Sequence, residues 1–210
     1  MSALRTALVL LCWVALAAPA ATQTLPAWAA FEQTWATVSA YSATVAVFER
    51  AGTQVQSSVL DYTFSKPSTA TVHFLAGKNV GVTVDWGGGD TVVAHRGTGL
   101  AALFRETFGL HDPRVMTIRG SSIDQMSFAA FLTHARATPG TLSEEPGPTI
   151  LDIPTVAVTL IPASSATDGG VTREVVDISV PTNLPLRVLG YDHDMLIRQV
   201  DFSNLKITAR

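Results

Sequence analysis

The chain has 210 residues, a formal net charge of −3 at pH 7 and a charged fraction of 15%. An acidic balance of this kind offers no basic surface for a nucleic acid, so we exclude that class of partner. Cys12 is the only cysteine, which excludes an internal disulfide and a cysteine-based metal site.

The first twenty residues have the layout of a secretory signal peptide. Arg5 precedes the uncharged run 6–17, and the small residues 18–20 follow as a cleavage site. We therefore expect residues 1–20 to be removed, Cys12 with them, and the protein to be periplasmic or secreted. The remaining residues, 21–210, have the length of a single domain.

A helix is predicted to open this domain, since Pro26 fits a first helical turn and Trp28, Phe31 and Trp35 follow on one face. Apolar residues then alternate with polar ones, which is the pattern of half-buried strands. The strands predicted in this part of the chain are 41–50, 54–65, 69–76, 80–86 and 91–95. Tight glycine-containing turns separate them, so the simplest pairing is antiparallel.

Two further helices are predicted in the middle of the chain. The first lies between Thr98 and Gly109, where apolar residues recur at helical spacing. The second begins at a capping box made by Ser122 and Gln125 and ends before Pro139. Each helix has one apolar stripe, so each needs a sheet or another helix to cover it.

The last third of the chain is predicted to be a loop followed by strands. Proline and glycine are too dense in residues 138–154 for regular structure, which indicates a long exposed loop. The strands predicted after this loop are 155–161, 171–180 and a terminal hairpin of 186–191 with 195–202.

We identify no catalytic residues, no cofactor site and no metal site. The histidines are scattered, there is no Gly-x-Ser-x-Gly motif, and no pair of carboxylates has a spacing that indicates acid–base chemistry. Asp192-His193-Asp194 offers three potential metal ligands, but it lies where a hairpin must turn, and turns favour aspartate for backbone reasons. The chain is therefore not predicted to be an enzyme.

Four short segments carry a resemblance to a known family. They are 38–43 (VSAYSA) at the start of the first strand, 64–67 (FSKP), 89–93 (GDTVV) and 183–186 (NLPL). In this order, with the export signal and the succession of helices and strands, the chain resembles the periplasmic outer-membrane lipoprotein carrier (LolA-like) superfamily.

The resemblance implies an α+β fold: a strongly curved antiparallel sheet, or unclosed half-barrel, with an N-terminal helix and two central helices covering its concave face. It further implies a cavity for the acyl chain of a lipid or lipidated protein, exchanged with a membrane-associated donor or acceptor. In this family a basic residue near the Lys-Pro segment helps to hold the helical lid closed. Lys66 is its counterpart here, with lysine in place of the usual arginine.

Residues on the apolar faces of the strands and central helices are the expected acyl contacts. They are Val45, Val47, Leu60, Tyr62, Phe64, Val72, Phe74, Val82, Val84, Leu103, Phe104, Phe128, Phe131 and Leu132. The alternative is that the same residues form a filled core. In that case the protein is an envelope sensor or a protein-interaction module of the same fold.

Overall fold

The computed structural model describes residues 25–97 and 104–209. Within these residues the chain forms two α-helices, α1 (Pro26–Thr37) and α2 (Phe128–Ala137), and two short 3₁₀ turns, Ile123–Met126 and Ser165–Asp168. The strands of the described residues are β1 Val38–Ala51, β2 Gln54–Ser65, β3 Thr69–Ala76, β4 Val82–Trp86, β5 Thr91–Arg96, β6 Arg105–Gly109, β7 Gly140–Pro146, β8 Thr155–Pro162, β9 Arg173–Ser179, β10 Pro185–Asp192 and β11 Met195–Ala209.

All these strands belong to one antiparallel sheet with the order β6-β5-β4-β3-β2-β1-β11-β10-β9-β8-β7. Strand β1 lies at its centre, because it pairs with β2 on one side and with β11 on the other. Register shifts interrupt the β1–β11 and β2–β3 pairings, and such bulges increase the local bend and twist of a sheet. The two ends of the order, β6 and β7, do not pair with each other, which confirms the expected unclosed half-barrel.

Helices α1 and α2 pack on the concave face of this sheet through aromatic side chains. Phe128 of α2 stacks on Tyr41 of β1, with ring centroids 4.4 Å apart and planes 7° from parallel. Phe31 and Trp35 of α1 meet Phe128 edge to face. These residues are buried, and they anchor both helices to the centre of the sheet.

The prediction of a helix between Thr98 and Gly109 is wrong for the part that the structure describes. Arg105–Gly109 forms β6, which pairs with β5, whereas residues 98–103, including Leu103, lie outside the described residues. The spacing of Phe104 and Phe108, four residues apart, indicated a helix here but fits a strand equally well. Positions four apart share a face in a helix and also in a strand. One central α-helix, α2, is therefore present among the described residues where two were expected.

The prediction of a long loop over residues 138–154 is also wrong in part. Gly140–Pro146 forms β7, which pairs with β8 at the edge of the sheet. An edge strand tolerates proline and charged side chains, because one of its sides has no strand to pair with. Gly140 lies close to the Ile161 carbonyl oxygen, at a position where a Cβ would be only 2.3 Å from that atom.

Candidate ligand-binding groove

The concave face of the sheet is filled with side chains over its central part. Five of the residues predicted to contact a ligand lie in this packed core, where the aromatic side chains of both helices surround them. They are Val45, Tyr62, Phe64, Phe128 and Leu132. Each is at most 4% exposed, so these side chains pack closely together in the interior.

Beside the packed core lies a partly open space of about 90 Å³, which we call the inner cavity. The sheet contributes one wall, and residues 115–126 with Phe131 of α2 contribute the other. Six of the predicted contacts line it, namely Val47, Leu60, Val72, Phe74, Val84 and Phe131. Its lining is mostly apolar, as expected of a site for hydrocarbon.

A larger opening of about 490 Å³, the outer groove, lies over strands β3–β6. Val82 and Phe104, both predicted contacts, line it together with Ala94 and Phe108. Its lining shares Phe74, Asn79, Val84 and Val115 with that of the inner cavity. The two spaces therefore lie side by side, with these four residues in the lining of both.

Residues 110–127, the roof segment, cover the inner cavity and are held by side chains of β1 and β2. Glu49 accepts hydrogen bonds from the Arg119 backbone N–H at 3.2 Å and from the Ser121 hydroxyl at 3.1 Å. The Gln56 side-chain oxygen accepts one from the Ile118 N–H at 3.1 Å. These bonds attach the roof segment to the sheet beside the cavity.

Arg119 ties the same segment to both sides of the half-barrel. Its guanidinium donates to the Arg50 carbonyl at 2.9 Å and to the Gly169 carbonyl at 2.6 Å. Because Arg50 lies near the end of β1, next to its final residue Ala51, and Gly169 follows a 3₁₀ turn after β8, one side chain links the two halves of the sheet.

The inner cavity has a polar end that sequence analysis did not find. Glu49 and Arg198 are register partners in β1 and β11, and both line the cavity. Arg198 also forms an ion pair with the buried Glu174 of β9 across β10, where Gly190 occupies the intervening position. A detectable signal was present, since Glu49 continues the alternation of Val45 and Val47 into the interior.

Charged residues surround the outer groove, where Arg96, Arg105, Glu106 and Arg114 are part of its lining. The Arg114 guanidinium donates a bidentate pair of hydrogen bonds to Asp112, from Nε to Oδ1 at 3.0 Å and from Nη2 to Oδ2 at 2.7 Å. The same guanidinium lies 4.4 Å from the Phe108 ring centroid. Hydrogen bonds from Arg114 lower the pKa of Asp112 to about 2.

Lys66 lies against α1. Its ammonium donates to the Trp35 carbonyl near the carboxyl end of that helix, and it lies 4.1 Å from the Trp35 ring centroid. A cation at this end of a helix is favoured by the helix dipole. The structure thus brings the residue expected to latch a lid into contact with the N-terminal helix.

Asp192, His193 and Asp194 form the turn between β10 and β11, as predicted, and His193 adopts a positive φ of 55°. No group of three or more histidine, cysteine or carboxylate side chains that could hold a metal ion occurs within the described ranges. Neither of the helices in the described part of the chain is long and apolar enough to cross a membrane.

An open antiparallel half-barrel with helices on its concave face is a LolA-like fold, and the comparison with solved structures agrees. Mycobacterium tuberculosis lipoprotein LppX matches with a TM-score of 0.52 at 14% identity, covering 88% of this chain and 97% of LppX. At this identity the match establishes the fold alone.

Two further solved structures match over the same share of this chain but with lower TM-scores. LolA superfamily protein NE2245 from Nitrosomonas europaea gives a TM-score of 0.41 at 10% identity, covering 88% of this chain and 94% of that one. A chain of the Pseudomonas aeruginosa MucA/MucB complex gives 0.43 at 10% identity, covering 88% and 56%. No protein-family model and no curated protein matches the sequence.

Proposed function

We propose that this chain is an exported, non-enzymatic binding protein that shields an acyl chain of a lipid or lipidated protein from water. The observation that supports the proposal is the pair of adjacent, mostly apolar spaces formed by the outer groove and the inner cavity. The outer groove, at about 490 Å³, is within the range of small-molecule sites, whereas the inner cavity is too small to be one alone. We therefore propose that most of the acyl chain lies in the outer groove and that its end lies in the inner cavity.

The energetics favour hydrocarbon over a polar ligand. Each methylene group buried contributes about 0.8 kcal/mol, so several methylenes give useful affinity without specific polar contacts. Uptake of a longer chain then requires the roof segment to move away from the sheet. Such a motion would break its hydrogen bonds to Glu49 and Gln56, which line the cavity, and to Arg50.

A binding assay with two tryptophan variants tests this proposal. Val82→Trp places an indole in the groove, and Leu151→Trp places the same indole at an exposed position in the loop before β8. We expect Val82→Trp to lower the affinity for a fluorescent fatty-acid probe about tenfold, the effect of losing two buried methylenes. Leu151→Trp should bind as the parent does. Equal affinity of all three proteins would contradict the proposed location of the acyl chain.

The second candidate function is an envelope sensor or interaction module with a filled interior. The observation that favours it is the packed core, which occupies the centre of the concave face and leaves an inner cavity of only about 90 Å³. Native mass spectrometry of gently purified mature protein separates the two candidates. A co-purifying lipid supports the binding protein, and an unliganded mass that does not change on addition of lipid supports the sensor.

A further inference from the structure

The polar end of the inner cavity is formed by residues that lie side by side on three strands. Gln56 of β2 and Arg198 of β11 are the register partners of Glu49 in β1, and all three line the cavity. Because alternate residues of a strand share a face, Ser58 and Gln56 continue the inward-facing row of Leu60 along β2, and Ser58 also lines the cavity. A mostly apolar cavity thus has four hydrogen-bonding side chains at one end.

The protein itself uses only part of the hydrogen-bonding capacity of these side chains. Each oxygen of the Glu49 carboxylate accepts one hydrogen bond from the roof segment, and a carboxylate oxygen can accept two. Among the described residues, the Ser58 hydroxyl and the Gln56 amide nitrogen have no hydrogen-bond partner, since Gln56 is bonded through its oxygen alone. The polar end therefore offers a ligand both an acceptor and donors.

The charges at this end favour an uncharged ligand group. Glu49 and Glu174 are each 2% exposed, and Arg198 lies between them, as the register partner of Glu49 and in an ion pair with Glu174. A ligand carboxylate would be repelled by the two glutamates, and an ammonium group would be repelled by Arg198, with little water to screen either charge. A hydroxyl group avoids both costs, because it is neutral and can donate and accept hydrogen bonds at the same time.

The size of the inner cavity restricts what can enter it. Its volume of about 90 Å³ corresponds to about three water molecules, each taking about 30 Å³ in the liquid. The cavity can therefore hold the last few atoms of a chain, whereas a bulky headgroup does not fit. Phe74, Val84 and Val115 belong to the linings of both the cavity and the outer groove, so hydrocarbon adjoining those last atoms has an apolar surface beside it.

We propose that the acyl chain bound by this protein carries a hydroxyl group at the end that enters the inner cavity. The hydroxyl donates a hydrogen bond to the Glu49 carboxylate and accepts hydrogen bonds from the Ser58 hydroxyl and the Gln56 amide. This inference rests on the proposed function and adds the class of ligand. The polar end then selects the chain, because a hydroxyl group is satisfied there and a methyl group leaves the same side chains without partners.

The test compares four acids of equal chain length that differ only at the end remote from the carboxylate. Dodecanoic acid, ω-hydroxydodecanoic acid, ω-aminododecanoic acid and dodecanedioic acid compete for the mature protein against a neutral fluorescent probe. We expect the ω-hydroxy acid to bind about three- to tenfold more tightly than dodecanoic acid, the effect of about one net hydrogen bond. In a cavity without polar partners the order would be the reverse, because burying an unpaired hydroxyl is unfavourable. The ω-amino acid and the diacid should bind more weakly than the ω-hydroxy acid.

The variant Ser58→Ala removes one of the proposed donors without removing a hydrogen bond within the described part of the protein. It should lower the affinity for the ω-hydroxy acid about threefold or more and change that for dodecanoic acid by less than about twofold. Unchanged binding of dodecanoic acid also shows that the variant is folded. Ser57→Ala, at the next residue and exposed on the other face of β2, is the matched control and should retain the preference for the ω-hydroxy acid.

The outcomes distinguish the two proposals. If the parent protein binds dodecanoic acid as tightly as the ω-hydroxy acid, or more tightly, the hydroxyl inference is overturned and the proposed function stands. The same holds if the ω-amino acid or the diacid binds most tightly, or if Ser58→Ala keeps the full preference for the ω-hydroxy acid. If the mature protein binds neither the probe nor any of the four acids, the proposed function itself is overturned.

Discussion

The Glu144 carboxylate lies at the amino end of α1, where its Oε1 accepts a hydrogen bond from the Trp28 backbone N–H at 2.8 Å. Its Oε2 accepts a second from the Ala27 N–H at 3.2 Å. The residue at the N-cap, Leu25, provides no side-chain cap, so the Glu144 carboxylate, 116 residues beyond Trp28 in the chain, supplies the missing acceptors. The contact fixes the N-terminal helix to the edge strand β7.

We expect Glu144→Gln to lower the free energy of unfolding by about 0.5–2 kcal/mol, the usual effect of losing an N-terminal cap. Glutamine keeps one acceptor oxygen but has no charge to oppose the helix dipole. Urea unfolding monitored by tryptophan fluorescence measures the change, because Trp28 and Trp35 lie on the helix concerned.

The neighbouring Glu145 provides the control for that variant, since it lies in the same strand but is exposed. Glu145→Gln should change stability by less than about 0.5 kcal/mol. Equal losses in the two variants would show that the charge of the strand matters and that the contact with α1 does not.

Glu49 provides a second prediction, because it is only 2% exposed and accepts two hydrogen bonds from the roof segment. Glu49→Gln places an amide group opposite one of these donors. We expect a loss of about 1–3 kcal/mol, the penalty for a buried group left without its partner. The amides of Arg119 and Ser121 should also exchange with deuterium faster than in the parent protein.

The exchange measurement separates a local effect from a general one. Amides in the centre of β1 should keep their protection in conditions where only the roof segment opens. If protection at Arg119 is unchanged in Glu49→Gln, then the roof segment is held by other contacts and the proposed route of ligand entry needs a different hinge.

Much of the sheet could be predicted from the sequence because the alternation of apolar and polar residues recurs in one strand after another. Strands β2 and β3 match the predicted ranges, 54–65 and 69–76, because apolar residues alternate with polar ones in the second half of β2 and along most of β3. The first helix was found from Pro26 and its three aromatic residues. Strand β11 extends to Ala209, seven residues beyond the prediction, because the alternation weakens where its side chains become exposed.

The candidate site was less accessible to sequence analysis, because it depends on volume and on distant pairing. Val45 and Val47 follow the same alternation, yet Val45 lies in the packed core and Val47 lines the inner cavity. Nothing in the local pattern distinguishes them. The attachment of Arg119 to Glu49 joins positions 70 residues apart, and no local spacing indicates such a contact.

We expect the protein to lose stability at high pH because two of its tyrosines are buried. Burial raises the pKa of Tyr41 and of Tyr62 well above the ordinary value of 10.0, and each lies in the packed core. The folded state therefore keeps both protons above pH 10, where the unfolded chain releases them. Stability should be complete below pH 10 and should then fall by up to about 1.4 kcal/mol per pH unit for each tyrosine.

Urea unfolding on both sides of pH 10 checks this expectation. Tyr62→Phe should remove part of the slope, whereas Tyr191→Phe, at a half-buried position in β10, is the control and should retain it. A slope that is the same in the parent and in Tyr62→Phe would assign alkaline unfolding to other groups.

Asp177 in β9 has a buried carboxyl group whose negative charge destabilises the folded state. It is 1% exposed, and neither of its oxygens has a hydrogen-bond partner among the described residues. Burial raises its pKa above the ordinary 3.8; its register partner Arg187 opposes the shift and Asp201 adds to it. A raised pKa in the folded state means that its contribution to stability is complete below pH 3.8 and is lost as the pH rises.

We therefore expect Asp177→Asn to stabilise the protein at pH 7 by about 1 kcal/mol, with a gain that disappears as the pH falls toward 3.8. Asp201→Asn is the matched comparison, because Asp201 accepts a hydrogen bond from the Arg187 guanidinium at 2.5 Å and its loss should destabilise. Thermal unfolding at both pH values measures the two effects. A destabilised Asp177→Asn at pH 7 would mean that attraction to Arg187 outweighs the desolvation of the Asp177 carboxylate.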